Sequence, residues 1–153
     1  MLSDVRSLPV FKTLLEEHAQ FLAPLIEPYS CTTGKVIIQQ GLTADYLYLI
    51  TRGRVEISYK PYDGNSITVS HIDAGGLFGW SAVVGSRLYT SSATAIAEME
   101  CIRIRGDRLR KVCVDHPEAG WEILNCLANA VGSRWKDAHE QVRSILNYGM
   151  NGK

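Results

Sequence analysis

The sequence predicts a mainly β protein with flanking helices: an antiparallel β-roll or jelly roll after a short N-terminal helical segment and before a long C-terminal helix. Three observations predict it. Apolar residues recur at helical spacing before about residue 28 and again after Gly106. Between them lie short runs rich in β-branched and aromatic residues, and turn residues separate those runs. We read residues 1–153 as a single domain, with 1–28 as N-terminal helices, 29–105 as the roll, 106–147 as C-terminal helices and 148–153 as a tail.

Each element follows from local pattern. Phe11, Leu14, Leu15, Phe21, Leu22, Leu25 and Ile26 keep helical spacing, and Pro24 divides that run into two short helices, with Pro28 ending it. The roll is expected to hold strands at 36–38, 46–50, 55–59, 67–72, 93–97 and 101–104, several alternating apolar with polar residues. Gly34, Gly41, Gly53, Asp63-Gly64 and Gly75-Gly76 punctuate them. Asp107 is the expected cap of a short helix, 108–114, that ends before His116-Pro117. A longer helix is expected over 118–146. Its apolar residues Trp121, Leu124, Leu127, Ala128, Val131, Trp135, Ala138, Val142 and Ile145 form one narrow stripe. Such a stripe suits a coiled-coil seam as well as a helix lying on a sheet.

Composition excludes several classes. Sixteen Lys and Arg balance sixteen Asp and Glu, so no global field draws nucleic acid or an anionic membrane. No apolar run approaches the roughly 18 residues of a membrane span, and the first residues do not form a secretory signal. A cytoplasmic protein is expected. Cys31, Cys101, Cys113 and Cys126 are scattered without a C-x-x-C pair, which suits reduced structural thiols rather than a metal site. His18, His71, His116 and His139 show no metal-ligand spacing, and no nucleophile–base motif is present, so no enzyme is expected.

The most informative stretch is Ala74-Gly75-Gly76-Leu77-Phe78-Gly79-Trp80-Ser81-Ala82, followed by Tyr89-Thr90-Ser91-Ser92-Ala93. It resembles the phosphate-binding cassette of cyclic-nucleotide-binding domains of the catabolite-activator type. Gly41 followed by Ala44-Asp45-Tyr46-Leu47-Tyr48-Leu49-Ile50, then Gly53-Arg54-Val55-Glu56-Ile57, extends the resemblance over about 8–142. In that family the residue after Phe-Gly is a Glu that holds the ribose 2′-hydroxyl, and a later Arg neutralises the cyclic phosphate. Here those positions read Trp80 and Tyr89. Losing a charge-assisted contact of that kind costs on the order of 1.5–3 kcal/mol, or one to two decades of affinity. The resemblance therefore implies a small-ligand sensor that does not hold cAMP in the usual pose.

The expected site comprises Gly79, Trp80, Ser81, Tyr89, Thr90, Ser91 and Arg134. Backbone N–H groups of Gly79, Trp80 and Ser81 at a helix start favour an anion, and the hydroxyls of Thr90 and Ser91 add donors. Two readings of Trp80 and Tyr89 stay open: an aromatic wall for a planar ligand, or rings that pack together and close the pocket. Arg87 lies two residues before the family's arginine position, and Arg134 falls where the family's long helix faces the ligand's base; each is equally consistent with a solvated charge. The ligand is a cyclic nucleotide or another small anion, and no cofactor is assigned.

Partners follow from the ends of the chain. The stripe over 118–146 predicts a homodimer in two-fold symmetry. Relatives that regulate transcription carry a helix-turn-helix domain after the long helix, whereas 147–153 shows no basic recognition helix, so no direct DNA contact is expected. A protein partner then carries the output. The alternative to a sensor is a structural interaction module with a closed pocket.

Overall fold

The computed structural model describes residues 5–61, 64–84 and 88–131. They form two compact units: one from the N-terminus to Leu25 together with the chain from Arg108 onward, the other Ile26–Asp107.

The second unit is an antiparallel β-roll of two four-stranded sheets, as its alternating sequence predicts. Its strands are β1 (Ile26–Cys31), β2 (Val36–Ile38), β3 (Tyr46–Arg52), β4 (Arg54–Tyr59), β5 (Ile67–Asp73), β6 (Leu77–Phe78), β7 (Ser92–Ala95) and β8 (Met99–Arg105). One sheet runs β1-β8-β3-β6 and the other β2-β7-β4-β5. The inward residues of both sheets share one core: Tyr48, Ile50, Phe78, Met99 and Cys101 from the first meet Ile38, Val55, Ile57, Ile72, Ala93 and Ala95 from the second. A four-residue helix, α2 (Ser81–Val84), follows β6.

Two strands escaped the sequence reading. Pro28 does not end a helix; it lies within β1, opposite Ile102 of β8. A strand at the edge of a sheet has one side facing away from any ladder, so a residue without an N–H is tolerated there. The helical run accordingly stops at Leu25. The pair Leu77-Phe78 is too short to show alternation, yet both residues are buried and pair with Leu49 and Tyr48 of β3.

In the other unit, α1 (Glu16–Leu22) follows two single-turn helices at Val5–Ser7 and Pro9–Phe11. Pro24 lies in a third single turn, Ala23–Leu25, which agrees with its expected role as a divider. At the other end α3 (Gly106–Asp115) starts one residue ahead of the expected cap, with Asp107 in its first turn. Asp107 holds Arg105 through both carboxylate oxygens, at 3.1 and 3.3 Å. Pro117 opens α4 (Pro117–Val131), where its missing N–H costs nothing.

Helix α4 packs on α1 and the turn at Pro9–Phe11. Glu122 of α4 accepts from the Leu15 N–H at 3.2 Å and lies 2.5 Å from His18 Nδ1 of α1. Leu124, Leu127 and Ala128, expected in an exposed stripe, are therefore buried within the chain, while Trp121 is half exposed. Trp135, Ala138, Val142 and Ile145 lie outside the described residues, as does the expected course of the helix beyond Val131. Among the described residues no helix is long and apolar enough to cross a membrane. The four cysteines are free thiols, and burial pushes Cys101 up to about 12 and Cys113 to about 11, so both are poor nucleophiles.

Candidate ligand-binding cassette

The cassette is built on the first residues of β3. After β6 the chain turns at Gly79, whose φ of +86° belongs to the left-handed region. Space demands glycine as well: a Cβ there would stand 2.7 Å from the Tyr46 carbonyl oxygen. The turn then tightens into α2, with Ala82 N–H donating to Gly79 O at 3.1 Å and Val83 N–H to Trp80 O at 2.9 Å. The N–H groups of Gly79, Trp80 and Ser81 lie ahead of that first helical bond, where a helix has no acceptor of its own to offer them.

Tyr89 is held from three sides. Its N–H donates to Leu42 O and its carbonyl accepts from Gly41 N–H, both at 2.9 Å. Its ring joins the core of the roll at 7% exposure. Its hydroxyl donates to Tyr46 O at 2.6 Å and accepts from Tyr46 N–H at 3.0 Å. Residues of one parity present their N–H and carbonyl to the same neighbouring strand. Tyr46 and Tyr48 share parity, and Tyr48 faces Phe78 of β6. Where β6 ends, the Tyr89 hydroxyl takes over the backbone groups of Tyr46. Burial pushes this phenol up to about 12, so it is neutral at ordinary pH.

Trp80 is buried too, at 9% exposure, and its indole Nε1–H has no hydrogen-bond partner among the described residues. An orphaned buried donor of this kind costs about 1–3 kcal/mol. The structure thus brings Gly79 and Tyr89 together at Tyr46; the missing Gly79 Cβ would lie 3.6 Å from Tyr89 Cε1. Thr90 is exposed and Ser91 half-buried, both at the bend before β7. Arg87 and Arg134 lie outside the described residues.

Sequence reasoning missed two participants. One is Tyr46, which acts through its backbone and so leaves no side-chain signal. The other is Ser92, which opens β7 and whose Oγ accepts from Gln40 N–H at 2.9 Å, fixing the strand that follows Tyr89. Two open clefts, of about 460 and 370 Å³, are lined by other residues, the first including Gln40, Lys60 and Ser92 and the second Cys31, Arg52 and Glu100. Among the described residues no group of metal-ligating side chains converges.

Comparison with known proteins agrees with this architecture. The family model of the cyclic nucleotide-binding domain matches residues 29–116. The CRP-like cAMP-activated global transcriptional regulator of Mycobacterium tuberculosis is 29% identical over 107 residues, covering 70% of this chain and 48% of the relative. A cGMP-dependent protein kinase of Drosophila melanogaster, isozyme 1, is 26% identical over 114 residues, covering 72% and 15%. A solved structure from Geobacter metallireducens, described as a cyclic nucleotide-binding protein, superposes with a TM-score of 0.74 at 32% identity, covering 86% of this chain and 96% of that one. The Thermus thermophilus catabolite activator protein shares the fold at 21% identity, with a TM-score of 0.66 and coverage of 92% and 63%. The chain spans about half the length of the bacterial regulator it matches.

Proposed function

The chain belongs to the cyclic nucleotide-binding domain family, and from that footing we propose a non-enzymatic regulatory module whose own aromatic residues occupy the cassette. On this reading no cyclic nucleotide is held in the family's usual pose, and output passes through protein contacts. One observation carries the reading: Tyr89, at the position where the resemblance expects the phosphate-binding arginine, is buried with its hydroxyl tied to both backbone groups of Tyr46. A neutral phenol so engaged offers a phosphate no positive charge. Swinging it aside would strip two hydrogen bonds from β3. Trp80 adds a large buried ring where the resemblance expects a carboxylate.

Restoring the missing groups tests this. The double variant Trp80→Glu, Tyr89→Arg is expected to bind cAMP at least tenfold more tightly than the wild type in calorimetry, the lower end of what a charge-assisted contact contributes. Equal affinity for both proteins would count against the reading.

A second reading, a sensor for a small anion, draws on the orphaned Trp80 Nε1–H. A ligand acceptor would satisfy it, assisted by the N–H groups at the start of α2. Melting the protein with a panel of small carboxylates and phosphates tests it, because a ligand that binds only the folded state raises Tm. We also propose a homodimer through the helix at 118–146, supported by the apolar stripe in the sequence and by the half-exposed Trp121.

A further inference from the structure

Both ends of the cassette rest on backbone near the start of β3, and one of those rests is Gly106. A Cβ built on Gly106 would stand 2.1 Å from the carbonyl oxygen of Ala82, 2.7 Å from its carbonyl carbon and 3.0 Å from its Cβ. No side chain fits there without moving α2 or the start of α3. The glycine is required for space alone, since its φ does not lie in the left-handed region. Its N–H in turn donates to Asp45 O at 2.9 Å. At the other end of the cassette, Gly79 leaves equally little room against Tyr46, the residue after Asp45. The pair Asp45-Tyr46 therefore anchors Gly106, faces Gly79 and bonds to Tyr89.

We infer that Gly106 is a positioning residue that couples the cassette helix α2 to the first residue of α3, so that the two open and close as one element. A backbone-to-backbone contact supports this better than a side-chain contact would. A flexible side chain absorbs a displacement by changing rotamer, whereas two carbonyl-bearing backbones in van der Waals contact have no such freedom. A change at Trp80 or Ser81 is then passed directly to Gly106, after which the chain leaves the roll at Asp107. The inference rests on the reading of this chain as a regulatory module. Its test, however, is made without any ligand, so its failure and the failure of that reading are separate results.

Three amides report on it in hydrogen exchange followed by NMR. Val83 N–H, bonded to Trp80 O, reports α2; Gly106 N–H, bonded to Asp45 O, reports the start of α3; Ile96 N–H, bonded to Arg54 O, serves as a reference in the roll. Ser81→Gly weakens α2 without touching the contact, and glycine's helix cost corresponds to roughly fivefold faster exchange. Val83 and Gly106 are expected to accelerate by the same factor while Ile96 keeps its wild-type rate. Acceleration of Val83 with Gly106 unchanged would overturn the inference. The reciprocal variant, Gly106→Ala, is expected to accelerate Val83 by about tenfold or more, again without Ile96. Wild-type exchange at Val83 in that variant, or equal acceleration of all three amides in both variants, would also overturn it.

Discussion

The hydroxyl of Tyr89 is both donor and acceptor to a single residue, giving its proton to Tyr46 O at 2.6 Å and taking the Tyr46 N–H at 3.0 Å. A phenol thereby completes the ladder of β3 beyond the end of β6. Tyr89→Phe keeps the ring and removes that hydroxyl, leaving both backbone groups without it. The expected loss is about 1–3 kcal/mol in urea unfolding, the cost of stranding buried polar groups. An unchanged urea midpoint would show that the hydroxyl contributes nothing to the fold.

Burial also sets the pH response. The Tyr89 phenol rises from 10.0 to about 12, and Tyr29 rises to about 12 as well, burial being the largest cause for both. A raised phenol pKa means that the folded state favours the neutral form. The contribution is therefore complete below pH 10, the unfolded value, and is lost as pH climbs toward about 12. Spectrophotometric titration is expected to show two tyrosines ionising late, and stability falling across the same window. Tyrosines that all ionise together near their ordinary value would contradict the burial argument.

Trp80 separates packing from hydrogen bonding. Trp80→Ala opens a cavity at a buried aromatic and is expected to cost roughly 3–5 kcal/mol. Trp80→Phe keeps most of the ring and removes the orphaned Nε1–H, so its cost is expected to be far smaller, within about 1 kcal/mol of the wild type. If Trp80→Phe were as damaging as Trp80→Ala, the indole N–H would have to be satisfied in solution.

The cassette shows which parts of a structure a sequence can carry. Leu77-Phe78-Gly79 announced the turn, and Trp80 and Tyr89 stood out because they depart from the family's residue types. The strand holding Pro28 was hidden by a rule that applies to central strands and helices but not to an edge. Tyr46 and Gly106 left no signal because each acts through backbone: one as a donor and acceptor, the other by having no Cβ. Contacts of that kind depend on chain paths that meet only after folding. Leu124 and Leu127 misled for a related reason, since a narrow apolar stripe is written the same way whether it faces a second copy or α1.

The proposed dimer gives a prediction at Trp121, which is half exposed at the start of α4. In sedimentation velocity the wild type is expected to run as a dimer, and Trp121→Glu to weaken it while leaving the fold intact. The substitution adds a charge at a surface position, so loss of folding is not expected. A wild type that remains monomeric at high micromolar concentration would remove the proposal.

The most direct test of the account is calorimetric titration of the wild-type protein with cAMP and with cGMP. With Tyr89 engaged at Tyr46 and Trp80 buried after Gly79, the expected result is no binding tighter than the high micromolar range for either nucleotide. A submicromolar Kd for either would show that the cassette still seats a cyclic phosphate, and would contradict the central claim.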